Sequence, residues 1–499
     1  MHQLLINISE QLTQVIASLH YFMPEAYLGL LFVFVMITDL LFGKASAIYC
    51  RMVAVIGLLL IVFADLKQFG LILDGPHLLF SQMMLLSRSG LWFKVIIDLL
   101  AFILLLYFTW DEKLKRHQKG LSDLYTITIA SIFGLHLMVM AVNLLSIYLA
   151  IEMVSIASYL MVAYRSENAF STEAGLKYVL FGAASSAIML YGMSLLYAFS
   201  GSLDILQHNT VMELLKVNHL SSAFAIVLVL VGLGFKLSFV PVHFWVPDVY
   251  QGAATPVTAY LSTLPKIAAF ALLVNLLPPF MLLGTNTGFD LVIVLSAAGI
   301  ISMIAGNFAA VLQSNIKRML AYSSIGHTGF ALMAVVVLNQ QGISALTYYL
   351  LVYGLANIGA LVLATYFTNV MGAENLDDYK GLGLKYPVAG VCFTIILISL
   401  TGLPVSAGFT GKVFVFSAVY GLYQQNHSIW LMLMMATGAL TTVVSLFYYI
   451  KIPLNLFLKR SENQDIEYKK SYNLLILVVI ISFVLVLLGV FPDFVLKYL

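Results

Sequence analysis

Glu152, Lys177, Lys236, Lys266 and Lys412 are ionisable residues set inside long apolar stretches of a 499-residue chain. A lysine at the centre of a membrane-spanning helix costs about 2.5–3.5 kcal/mol on an insertion scale, so each of these demands a compensating role. Two of the lysines stand beside helix breaks. Lys236 lies in Gly232-Leu233-Gly234-Phe235-Lys236-Leu237-Ser238-Phe239-Val240-Pro241. The glycines weaken that turn, and Pro241, which has no N–H, leaves the carbonyl of Leu237 free. Lys412 closes Gly402-Leu403-Pro404-Val405-Ser406-Ala407-Gly408-Phe409-Thr410-Gly411-Lys412, where Pro404 frees the carbonyl of Leu400. Unwound backbone at membrane depth is tolerated only against protein or water, so Lys236 is expected beside a hydrated cavity, and the second break repeats the idea. The chemistry these residues suit is proton transfer. Desolvation lowers the proton affinity of an amine and a nearby carboxylate raises it. If Glu152 approaches and leaves a lysine, that lysine loads a proton from one side and releases it to the other. His243 and His327, with Tyr260, are candidates to carry protons between the lysines, because histidine titrates near neutrality.

Each of these has a structural alternative. Glu152 could form a static helix–helix ion pair, Lys177 could snorkel from a helix start, and His243 and His327 could be satisfied core histidines. Lys94, four residues before Asp98, reads as a snorkelling residue or one half of an i,i+4 pair. His136 reads as core, Asp39 as a carboxylate near a helix end, and Asp248 as a loop residue within reach of water.

Those residues need elements to position them. The chain is 61% hydrophobic and 10% charged, against roughly 45–50% and 25% in soluble domains. That composition excludes an ordinary cytosolic enzyme and a disordered chain. A net charge of +2 supplies no basic field for nucleic acid. Cys50 and Cys392 are the only cysteines, too few for an iron–sulfur site or a disulfide framework, so any redox cofactor belongs on another chain. Runs long enough to cross a bilayer number fourteen, at 22–42, 47–66, 91–109, 121–140, 143–164, 174–200, 221–246, 253–277, 289–311, 318–338, 343–369, 386–422, 429–450 and 472–491. The run 386–422 reads as a broken helix, and the stretch around Asp74-Gly75-Pro76 as an external loop. The expected fold is therefore an all-α polytopic membrane protein. Residues 1–120 hold an interfacial helix (Leu5, Ile8, Leu12, Val15, Leu19 at helical spacing) and the first three spans. Five-helix units at 121–277 and 289–450 each place an interrupted helix fourth, the pattern of an inverted repeat, and 451–499 forms a loop and the last span. With the N-terminus outside, sixteen basic residues fall in cytoplasmic loops and four in outer loops, which puts both ends on the outer side.

The runs Gly234–Leu237 and Pro241-Val242-His243-Phe244-Trp245-Val246-Pro247-Asp248-Val249-Tyr250, with Gly252-Ala253-Ala254-Thr255-Pro256, resemble the core signature of the antiporter-like subunits of proton-pumping NADH–quinone oxidoreductase, respiratory complex I. So do Asn315–His327 and Gly402–Lys412. The signature is shared with multi-component sodium/proton antiporters and membrane-bound hydrogenases, which remain the alternative. Within the family the chain is most similar to the N-type subunits, in Pro24-Glu25 followed by Asp39 and in a lysine at 412. The resemblance implies that Glu152 is the helix-five carboxylate, Lys177 and Lys236 its partners, Lys266 the central relay and Lys412 the terminal lysine. It implies that this chain binds no cofactor, with FMN, iron–sulfur clusters, NADH and quinone on partner subunits. Its implied setting is a bacterial inner membrane, beside other membrane subunits that include further antiporter-like chains.

Overall fold

The computed structural model describes residues 12–43, 46–117, 120–287, 290–459 and 471–499, apart from the side chains of 208 and 282–287. Helices dominate, as uninterrupted apolar sequence in a bilayer requires, because only intrahelical bonding satisfies the backbone there. In chain order they are α1 (Met23–Phe42), α2 (Ser46–Gln68), α3 (Arg88–Tyr107), α4 (Ser122–Met140), α5 (Leu144–Val162), α6 (Ala169–Ser200) and α7a (His219–Leu237). The short α7b (Trp245–Gly252) follows, then α8 (Thr255–Thr287), α9 (Leu291–Val311), α10 (Ile316–Val337) and α11 (Gln340–Met371). The last are α12a (Pro387–Thr401), α12b (Ala407–Asn426), α13 (Ile429–Tyr449) and α14 (Tyr472–Val490). Between α2 and α3, where the sequence suggests a loop, β1 (His77–Leu79) and β2 (Met84–Leu86) form a small antiparallel hairpin. Residues 12–20 are helical with Leu12, Ile16 and Leu19 exposed, as an interfacial helix would be; Leu5 and Ile8 lie outside the described residues, as do Lys44, Lys119, Arg460, Lys469 and Lys470.

Among the described residues thirteen helices are long and apolar enough to cross a membrane. The difference from fourteen runs is the twelfth, which is divided into α12a and α12b. Short loops are closed by asparagine: Asn143, Asn168, Asn315 and Asn339 each cap the following helix with a side-chain oxygen. Helices α8, α10 and α11 are almost wholly enclosed, whereas α1, α2 and α13 expose most of their apolar surface. Close contact between α9 and α10 depends on glycine, since a methyl on Gly306 would sit 2.4 Å from the backbone nitrogen of Gly326. The enclosed helices carry Lys266 and His327, and the two broken helices lie against them.

Candidate functional site

Helix α7a ends three residues before Pro241 is reached. Ser238 takes a left-handed conformation (φ 64°), and its N–H and that of Phe239 turn back to Phe235 and Gly234. This is a hydrogen-bonded helix terminus, further secured by the indole N–H of Trp245, which donates to the Phe235 carbonyl at 3.1 Å. The Leu237 carbonyl is not free, as the sequence suggests, because Thr328 of α10 donates its hydroxyl to it at 2.8 Å. Beside this terminus Lys236 is buried, its ammonium nitrogen without a hydrogen-bond partner among the described residues. Its Nζ lies 5.4 Å from the ring centre of Tyr159, 5.7 Å from Tyr178 and 5.4 Å from Phe235, a setting of aromatic faces.

Lys266 follows Pro265 in α8 and solves burial differently. Its Nζ donates to the Ser324 hydroxyl at 2.6 Å, the Ser324 carbonyl at 3.2 Å and Thr328 Oγ1 at 3.0 Å. Thr328 therefore links Lys266 to the end of the Lys236 helix. Tyr353 of α11 donates to the same Ser324 hydroxyl at 2.8 Å. Its ring lies against His327, with centroids 4.9 Å apart. His327 places Nδ1 2.7 Å from the Tyr349 hydroxyl and Nε2 3.2 Å from that of Tyr449, which is bonded in turn to Ser323.

A cavity of about 10 Å3 lies between His327 and Lys412, with Thr442 and Ser445 also in its wall; that is room for roughly one water. Lys412 donates to the Thr401 carbonyl at 2.8 Å and to Thr442 Oγ1 at 3.2 Å, 5.3 Å from the Phe330 ring centre. Gly402 makes this possible. Its φ is +80°, and a methyl there would meet the Lys412 stem at 2.7 Å.

The other predicted residues are dispersed. Lys177 is more than a third exposed and pairs with Glu173 at 2.9 Å and Asp248 at 2.8 Å, rather than with Glu152. Asp248 is not a free loop carboxylate: it lies on α7b and also binds Arg318 of α10 at 2.7 Å. Glu152 is half-buried on α5, with an enclosed oxygen that has no hydrogen-bond partner. It stands seven residues before Tyr159, on the helix face that meets Lys236. His243, in the segment between α7a and α7b, lies 3.3 Å from the Pro241 carbonyl and bonds to none of the lysines. Tyr260 bonds to Ser131 of α4. Lys266 and His327 are thus joined through hydroxyls and ring contacts, and Lys412 lies across the small cavity from His327. Lys236 stands at the end of the row, tied to it through its own helix terminus at Leu237 rather than by its ammonium. Glu152 is adjacent, while Lys177 and His243 lie apart.

A model of the NADH:quinone oxidoreductase/Mrp antiporter transmembrane family matches residues 141–445. The chain belongs to this family. Subunit N 2 of the NADH-quinone oxidoreductase of Chloroherpeton thalassium is 38% identical over 447 residues, 89% of this chain and 86% of that protein. A chain of respiratory complex I from Thermus thermophilus superposes with a TM-score of 0.76 at 29% identity, covering 95% of this chain and 98% of its own length. A chain of the Mrp complex from Dietzia shares the fold, with a TM-score of 0.78 at 18% identity and coverage of 95% and 96%.

The segment matched by the antiporter family contains the whole row and leaves out a second set of buried charges. Lys94 of α3 does not pair with Asp98 four residues on. Its Nζ lies 2.5 Å from Glu25 of α1 and 2.7 Å from Asp65 of α2, and it donates to Gln68 at 2.8 Å. Asp98 instead meets Nε2 of His136 at 2.9 Å, and Nδ1 of that ring lies 3.2 Å from Glu25. All five of these ionisable groups have no exposure. All five sit, like the predicted lysines, inside apolar runs or at their ends; reading every such charge against the other helices, rather than against its own i+4 neighbour, finds them.

Proposed function

We propose that the chain is a proton-translocating membrane subunit of an NADH–quinone oxidoreductase. In this reading electrons pass from NADH to quinone through FMN and iron–sulfur clusters on partner subunits, and this chain binds none of those groups. The row carries the proposal. Three buried amines lie among aromatic faces and neutral oxygens: Thr328 spans from Lys266 to the helix end that carries Lys236, Ser324 and Tyr353 lead from Lys266 toward His327, and there is space for a water between His327 and Lys412. An amine in that setting has no counter-ion, so an approaching carboxylate changes its hold on a proton more than any neutral neighbour would. Glu152 is the carboxylate placed to do so. The two interrupted helices take matching fourth positions in units 121–277 and 289–450, which supports an inverted repeat; the bias of basic residues toward one set of loops is what supports both chain ends on the outer face of a bacterial inner membrane. At the face where α7b meets α10, a cavity of about 390 Å3 lined by Asp111, Lys113, Arg165, Gln251 and Lys317 offers water to that end of the structure.

The test is Lys236→Ala in inverted membrane vesicles. NADH oxidation should persist, with proton uptake per NADH lowered severalfold; unchanged pumping would discard the transport role. Mild-detergent purification separates this reading from a redox-independent sodium/proton antiporter, because flavin, iron–sulfur clusters and NADH oxidation should accompany the chain.

A further inference from the structure

Glu25, Asp65, Lys94, Asp98 and His136 come from four helices and meet near one end of them. Glu25 is in the first turn of α1, Asp65 in the last turn of α2, and His136 four residues from the end of α4. They lie outside the family-matched segment and outside the lysine row, and nothing in the proton-transfer reading uses them. With Lys94 and His136 cationic and three carboxylates ionised, the cluster would carry a net charge of −1 in a place closed to bulk solvent. An uncompensated buried charge is strongly disfavoured, whereas one bound proton makes the set neutral.

The geometry shows where such a proton is exchanged. Both ring nitrogens of His136 face carboxylates, so a neutral imidazole would point a lone pair at an oxygen unless that oxygen carried a hydrogen. Glu25 Oε2, Asp65 Oδ2 and Asp98 Oδ2 are fully buried with no hydrogen-bond partner among the described residues. One ligand atom from each of Glu25, Asp65 and His136 lies within 4.8 Å of the others. The spacing would suit a cation, but the Lys94 ammonium already lies against both carboxylates. A path toward the nearer end of the helices runs through Gln68, which accepts from Lys94 and donates to the Tyr21 carbonyl at 2.7 Å.

We infer that the first four helices hold a second proton-binding site, in which Glu25, Asp65 and Asp98 share one exchangeable proton against Lys94 and His136. Binding converts one carboxylate and one hydronium ion into one carboxylic acid and one water molecule, the acid's O–H bond replacing one O–H bond of hydronium. The site does not depend on Lys236, Lys266 or Lys412.

Infrared difference spectroscopy on the full-length chain in lipid tests this at neutral pH. The wild-type protein should show a carboxylic-acid carbonyl band that shifts in D2O, persists in Glu152→Gln, and is lost or displaced in Asp65→Asn, Glu25→Gln or Asp98→Asn. His136→Gln removes one cation with little change in volume, so a second carboxylate should take up a proton and the band should grow about twofold. A wild-type band that is absent, or a band identical in all four cluster variants, overturns the inference. If the carboxamide variants fail to fold, an unchanged band in His136→Gln overturns it alone.

Discussion

Lys266 donates to three oxygens and Lys236, among the described residues, to none, although both are buried. Thr328 is the residue between them, and it carries no charge that would mark it in a sequence. Thr328→Val keeps the shape but strands the Leu237 carbonyl and removes one of the three acceptors of the Lys266 ammonium. The expected cost is about 1–3 kcal/mol in stability, read by thermal melting, together with a severalfold loss of proton translocation. Thr328→Ser should restore both, and a Val variant that pumps normally would remove Thr328 from the path. Gly402→Ala should cost about 1–2 kcal/mol from its positive φ alone, before the methyl displaces the Lys412 stem. Asp248→Asn leaves Lys177 and Arg318 without their shared carboxylate. Because the pair is partly exposed, the stability change should stay within about 1 kcal/mol, so a large loss of pumping in that variant would have a functional cause.

At the level of elements, the apolar runs were legible because a bilayer fixes their length and purity, and the two breaks were legible from proline and glycine. What was not legible is where α7a stops. Proline marks position 241, yet the helix ends at Leu237, with Ser238 in a conformation that a non-glycine residue adopts at a cost. Trp245 and Thr328, seven and ninety residues further on from Ser238, bind the freed carbonyls and offset that cost. Trp245→Phe should therefore loosen the terminus by about 1 kcal/mol, seen as faster amide exchange at Ser238 and Phe239 with the rest of α7a protected. The fit of α9 on α10 is also invisible to composition; Gly306→Val should separate these helices and reduce the yield of folded chain, measured by size-exclusion of fluorescently tagged protein.

Across the whole molecule, the sequence located the row's charges and missed its connections. Lysines inside apolar runs stand out, whereas Ser324, Tyr349, Tyr353 and Tyr449 are a few hydroxyls among many and acquire meaning only when α10, α11 and α13 converge. The α1–α4 cluster is hidden for the opposite reason: Lys94 and Asp98 stand at i,i+4 spacing on one helix, a local pairing that masks their actual partners Glu25, Asp65 and His136 on other helices. The contact at Thr328 joins the halves 121–277 and 289–450, and its atoms set a rule for traffic between them. The hydroxyl has one hydrogen and two carbonyls to offer it to, Leu237 at 2.8 Å and Ser324 at 3.0 Å. While it points to one it is closed to the other, so under the proposed proton transfer it is a turnstile, whose rotor must swing and reset for each proton handed between the halves.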